Sequence, residues 1–180
     1  MTSTQPFSPA EATAWARLVA VSELLPTMLD AQLLRDVELT HFEYLVLSVL
    51  AASPEQTSRM TRLASQTNAT LPRLSHVARR LEQKGLLERF PCPQDKRATN
   101  ARLTAAGSAV LEKAAPGHVA TVRSNVLDAL APDELAQLAA ISASILARLD
   151  PEGRMSATQC HAGLSEAAAS DAKTTPDAAA

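Results

Sequence analysis

Apolar residues return along this chain mostly at helical intervals. Trp15, Leu18, Val19, Ser22, Leu25, Leu29 and Leu33 keep to one side of a helix. Ser8, Pro9 and Glu11 supply its start, as N-cap, N1 and N3 residues. Pro26 falls inside this stripe and removes a backbone donor, which predicts a kink. Thr40 caps a second helix with Glu43 in the capping-box position, and Phe42, Leu45, Val46, Val49 and Leu50 form its buried face. Ala52-Ser53-Pro54 ends it. A short helix follows over Ser58–Asn68, with Met60, Leu63 and Ala64 apolar. Asn68-Ala69 makes a turn. Thr70 then caps a helix running to about Lys84, in which Pro72 sits early enough to be tolerated. Leu74, Val77, Ala78 and Leu81 are its inner face, and Gly85 is its stop.

Beyond Gly85 the pattern changes. Leu86–Phe90 reads as a strand, Pro91 to Lys96 as a charged, turn-rich tip, and Ala98–Leu103 as the return strand of a hairpin. Thr104 opens a long helix with Val110, Leu111, Val119, Val122, Val126 and Leu130 apolar, interrupted at Pro116-Gly117. Pro132-Asp133-Glu134 restarts a final helix, with Leu135, Leu138, Ile141, Ile145 and Leu149 as its stripe and Glu134 as a first-turn dipole residue. The fold class expected is mainly α with a small β-hairpin wing. Residues 1–9 form a disordered arm, 10–57 N-terminal helices for dimerisation and support, 58–104 a winged helix-turn-helix, 105–150 C-terminal dimerisation helices, and 151–180 a disordered tail. There is no internal repeat.

Composition agrees with packed helices: 46% of residues are hydrophobic but only 3% aromatic, too few for a sheet sandwich's usual core. No apolar stretch is long enough to span a membrane, and the first ten residues lack the basic and apolar regions of a signal peptide. Cys92 and Cys160 are too few and too far apart for a disulfide framework, so a cytoplasmic setting is expected.

Charge changes the picture more. Between Ser58 and Thr104 lie ten basic residues against Glu82, Glu88 and Asp95, a local balance of +7. The whole chain carries −2, so the remainder carries −9. A basic helix face alone is commonly just a solvated surface. A basic module inside an acidic protein, ordered as short helix, turn, Pro-started helix, Gly stop and basic hairpin, points to a polyanion bound on one face. In such a unit the second helix enters the major groove of double-stranded DNA with its N-terminal residues foremost. The candidate contacts are Thr70, Pro72, Arg73, Ser75, His76, Arg79 and Arg80. Arg73 and His76 are placed to reach base edges, while Arg79 and Arg80 lie a turn further along, where they neutralise phosphate. At the wing, Lys96 adds charge and Arg97 suits the narrow minor groove, with Asp95 expected to hold the Arg97 guanidinium.

These residues carry a resemblance to the MarR family of bacterial transcription regulators. Leu81, Glu82, Gly85 and Leu86, then Asp95 and Arg97, then Leu103, Thr104 and Gly107, follow its signature, and the likeness spans roughly Trp15 to Leu149. Asn68-Ala69-Thr70-Leu71 departs from it, since the family more often has Gly-Val-Ser-Pro there. The resemblance implies a homodimer of intertwined terminal helices, two winged modules reading a pseudo-palindrome, and a repressor released by a small aromatic acid. It puts base contacts on Pro72–His76 and a wing contact on Arg97. The dimer has its own argument: the apolar stripes of the first and last helices exceed what one winged module can bury.

Trp15, His41 and Tyr44 are candidates for an effector pocket, although ordinary core or interface packing is the simpler account of each. Cys92, between two prolines, is a candidate redox sensor if Arg89 or Lys96 activates it. A third reading is a winged-helix protein-interaction module, which the +7 segment disfavours. His41, His76, His118 and His161 lack metal-ligand spacing, and no catalytic constellation or phosphate loop is present. No enzyme activity, metal or cofactor is expected.

Overall fold

The computed structural model describes residues 5–93, 95–155 and 157. Its elements in chain order are α1 (Pro9–Val37), α2 (His41–Ala51), β1 (Thr57–Arg59), α3 (Met60–Gln66), α4 (Leu71–Gln83), β2 (Leu87–Cys92), β3 (Asp95–Leu103), α5 (Ala105–Asn125) and α6 (Pro132–Leu149). Single 3₁₀ turns sit at Pro54–Gln56 and Leu127–Ala129. Helices thus dominate, and one small antiparallel sheet in the order β1-β3-β2 supplies the wing.

Local chemistry starts the helices where the sequence places the starts. The Ser8 and Thr40 hydroxyls each accept from the backbone N–H three residues on, and Glu11 and Glu43 return the bond to the cap's own N–H. Thr70 and Thr104 cap α4 and α5 in the same way through their hydroxyls. The turn between α3 and α4 has Asn68 at φ 48°, the left-handed conformation that asparagine tolerates better than most residues. That explains the departure at Asn68: it takes over the work of a turn glycine, and α4 still starts behind a hydroxyl cap. Gly85 at φ +72° ends α4 as expected.

The core lies between α2, α3, α4 and the sheet. Leu47, Leu50, Leu63, Leu74, Leu81 and Leu87 are fully enclosed there. α5 is pressed onto this unit at Gly107, where an added Cβ would lie 2.1 Å from the Leu86 carbonyl oxygen and 2.6 Å from Leu103 Cδ1. Only glycine permits that approach.

Three expectations are corrected. Ser58 and Arg59 do not open a helix. Thr57–Arg59 is strand β1, paired with β3 in the register Thr57 to Arg102 and Arg59 to Asn100, so the hairpin becomes a three-stranded sheet. The strands also run closer to the tip, to Cys92 and from Asp95, with an irregularity between Pro91 and Cys92. α1 starts at Pro9, as its cap predicts, and carries Pro26 within a single 29-residue helix that the proline does not break. Nor do Pro116 and Gly117 interrupt α5, which runs unbroken over 21 residues. Gly117 instead lets α5 approach α1 closely: a Cβ there would lie 2.6 Å from Asp36 Oδ2. Residues 1–4 of the arm and most of the 151–180 tail fall outside the described residues.

The terminal helices leave apolar surface bare in the single chain. Trp15, Leu18 and Leu24 on α1 are exposed, as are Leu135, Leu138 and Ile141 on α6, and α6 buries no residue at all.

Candidate nucleic-acid interface

α4 is strongly two-sided. Leu74, Val77, Ala78 and Leu81 are buried, while Pro72, Arg73, His76, Arg79 and Arg80 are exposed and Ser75 is half-buried. The cap at Thr70 therefore presents the first turn and a half of α4 to solvent. Ser75 on α4 and Thr61 on α3 share a groove of about 180 Å³ with Arg97, Ala98 and Thr99 of the wing, so helix and wing border one depression. Lys96 and Arg97 are exposed beside the tip.

The ten basic residues fall into two sets. Five are held by carboxylates. Arg80 Nη2 lies 2.9 Å from Glu43 Oε1, and Lys84 Nζ lies 3.9 Å from Glu43 Oε2. Arg89 Nη2 lies 2.6 Å from Glu82 Oε2, fixing the base of β2 to the end of α4. Arg89's hydrogen bonds to that carboxylate hold the Glu82 pKa below its usual value. Arg102 pairs with Glu88 and stacks over the Phe90 ring, 5.2 Å from its centroid. Arg59 Nη1 lies 3.8 Å from Asp95 Oδ2. The other five, Arg62, Arg73, Arg79, Lys96 and Arg97, have no carboxylate partner among the described residues.

Two expected roles change. Asp95 does not grip the Arg97 guanidinium. Its Oδ1 accepts from the Arg97 backbone N–H at 3.1 Å, and its other oxygen faces Arg59. Asp95 therefore shapes the tip's backbone and leaves the Arg97 side chain directed elsewhere. Arg80 differs too, because its charge is engaged by Glu43 beneath α4. Arg73 has a neighbour that sequence alone did not reveal: its guanidinium carbon lies 4.3 Å from the Phe42 ring centroid on α2. Stacking of this type leaves no spacing signal, since the partners are 31 residues apart.

The three effector-pocket candidates separate. His41 lines a cleft of about 420 Å³ with Pro26, Asp30, Thr40, Phe42, Arg73 and Val77, between α1, α2 and α4. Tyr44 lies outside it and stacks on His118 of α5, with ring centroids 4.7 Å apart. Trp15 is 56% exposed on α1 and does not border the cleft. Burial lowers the pKa of His41, partly offset by Asp30, whose Oδ1 also accepts from the His41 backbone N–H. Burial and the neighbouring His41 charge lower that of His118.

Cys92 is 3% exposed. Arg59 Nη2 lies 3.6 Å from its sulfur, whereas Arg89, one of the two cations expected to act on it, is paired with Glu82. Cys160 and His161 lie outside the described residues. Among the described residues, no group of three or more His, Cys, Asp or Glu side chains is arranged to hold a metal, and no helix is long and apolar enough to cross a membrane.

A capped helix-turn-helix backed by a sheet whose basic tip borders the second helix defines a winged helix-turn-helix protein. The family model for the MarR family matches residues 39–99. A MarR family transcriptional regulator from Streptomyces coelicolor, Sco3205, solved in complex with DNA, is 38% identical over 84% of this chain and 94% of its own, with a TM-score of 0.80. AbsC, a MarR family transcriptional regulator from the same organism, is 35% identical over 81% of this chain and 98% of its own, with a TM-score of 0.76. A mutant MarR from E. coli, complexed with operator DNA, is 25% identical over 76% of this chain and 96% of its own, with a TM-score of 0.67. The chain belongs to the MarR family of transcription regulators.

Proposed function

We propose that this regulator is a homodimeric repressor that binds a pseudo-palindromic operator, one α4 helix per half-site. The observation that carries this reading is the division of the basic residues. Five are paired with the protein's own carboxylates, and the five without a carboxylate partner among the described residues belong to α3, α4 and the wing tip, the elements that meet DNA in such a module. Arg73, His76 and Ser75, with Pro72 and the Thr70 cap behind them, approach base edges. Arg79 adds phosphate neutralisation, Arg80 contributes only beyond its pairing with Glu43, and Lys96 and Arg97 work at the minor groove. The relatives solved with DNA support the polyanion reading over a protein-interaction module.

The bare apolar surface of α1 and α6 supports a second copy as the partner. The cleft beside His41, Phe42 and Arg73 supports an effector that is flat and anionic, since it offers a ring edge and a guanidinium together. Such a ligand would hold Arg73 against Phe42 and away from DNA, shifting the population toward release. A regulator of this kind works beside the chromosome, in the cytoplasm. The redox alternative at Cys92 has less support, because burial opposes access to its sulfur.

Selection of bound duplexes from a random library tests the reading. The expected product is two inverted half-sites about one helical turn apart, with affinity falling steeply as salt rises. A single unrepeated site, or affinity indifferent to salt, would reject it.

A further inference from the structure

Glu43 is 1% exposed yet carries a carboxylate. Such a group is tolerated only when its charge is met by well-placed partners. Here its partners come from two elements, the cap of its own helix α2 and the end of α4. Oε2 accepts from the Thr40 backbone N–H at 2.9 Å and from the Thr40 hydroxyl at 3.2 Å, closing the start of α2. Oε1 takes Arg80 from the last turn of α4, and Lys84, the C-cap of that helix, stands 3.9 Å from Oε2. The Lys84 ammonium also donates to the Glu38 carbonyl at 2.7 Å. Glu38 is the C-cap of α1, in the left-handed region at φ 57°. One buried carboxylate and two cations thus fasten the end of α1, the start of α2 and the end of α4 at a single point. Arg80 and Lys84 are four residues apart, so they reach it from the same side of α4.

The fastening lies at the opposite end of α4 from Arg73 and His76. Seven residues separate Arg73 from Arg80, roughly 10 Å of helix, so a tilt of about 10° at the joint displaces the reading end by roughly 2 Å. Hydrogen bonds to base edges tolerate only a few tenths of an ångström. Apolar packing would hold the helix down equally well, but it has no direction. A charge pair between α2 and the last turn of α4, Arg80 Nη2 2.9 Å from Glu43 Oε1, fixes which two points of the helices must meet.

We infer that the Glu43–Arg80–Lys84 cluster is a positioning joint that sets the angle of the recognition helix against α1, and through it the half-site spacing that the protein accepts. This rests on the homodimeric reading above. Glu43 touches no DNA in this role and acts through α4.

The test uses the full chain, its selected half-site as a single copy, and duplexes with two inverted copies whose spacing changes one base pair at a time. The wild-type protein is expected to prefer one spacing by roughly tenfold over its neighbours. Glu43→Gln keeps the capping oxygen and removes the charge. It is expected to bind the single half-site within about twofold of wild type while most of the spacing preference disappears. Lys84→Met, which leaves Arg80 on Glu43, is expected to flatten the profile partway, and it carries the test alone should Glu43→Gln not fold. A merely stabilising cluster would move the melting temperature and leave the spacing profile intact. An unchanged profile in the folded variants overturns the joint alone. A wild-type protein that binds paired and single half-sites alike overturns the dimeric reading and the joint with it.

Discussion

Arg73 faces two demands. It lies over the Phe42 ring at 4.3 Å, a contact worth about 0.5–1 kcal/mol at an exposed site, and in the proposed reading it must also reach a base edge. A guanidinium that makes a bidentate contact to guanine discriminates by about 1–3 kcal/mol. Arg73→Ala is therefore expected to relax base choice at one position per half-site, read from the sequences recovered in duplex selection. Arg97→Ala is expected to weaken all duplexes evenly and to reduce the salt slope by about one counterion per module. Phe42→Leu separates competition from support. If the ring holds Arg73 back, losing it should tighten DNA binding by about threefold in fluorescence anisotropy. Weaker binding would instead make the ring a brace that aims the guanidinium. None of this pairing was legible beforehand. The exposed character of Arg73 follows from helical periodicity, but a partner 31 residues away leaves no local mark.

At the scale of elements, what was legible is what is local. The hydroxyl caps at Ser8, Thr40, Thr70 and Thr104 and the stop at Gly85 act within four residues, so sequence displays them directly. Pro116 misled because a proline costs one helical hydrogen bond, while the packing of long helices decides whether the helix continues. β1 escaped notice because three residues carry no periodicity and its pairing partner lies more than 40 residues on. The glycines of α5 give a stability test. Gly107→Ala drives a Cβ against the backbone oxygen of Leu86 and is expected to cost about 3 kcal/mol, seen as a lower melting temperature. Gly117→Ala meets side-chain atoms and no backbone, Asp36 Oδ2 and Gln32 Nε2, which are hydrogen-bonded to each other, and it gains helix propensity, so it should cost clearly less, about 1 kcal/mol. Equal losses at the two sites would refute this account of α5 packing.

For the whole molecule, two properties follow from how its parts are joined. His41 and His118 sit where α1, α2 and α5 meet, and both have pKa values below that of a free histidine. The unfolded chain then binds protons first as pH falls. The stability that these groups contribute is complete above about pH 6.5 and declines as pH drops from there toward their folded values. Thermal melts between neutral and mildly acidic pH should show this decline, and a His118→Asn variant should show less of it. Glu82, also lowered, acts only further down, below the usual carboxylate pKa. The second property is assembly. Ile141, 58% exposed on α6, should lie in the proposed dimer interface. Ile141→Glu is expected to yield a folded monomer in sedimentation that no longer prefers paired half-sites; a dimer that survives the charge would move the interface elsewhere. The division of the basic residues bears finally on descent. Arg80, Lys84 and Arg89 are bound to buried or half-buried carboxylates of the fold, so replacing any of them disturbs the architecture. Arg62, Arg79, Lys96 and Arg97 have no carboxylate partner among the described residues, and lineages can exchange them one at a time while the scaffold persists. Affinity for DNA as a whole can then be tuned by single substitutions, with no intermediate that must pass through an unstable protein.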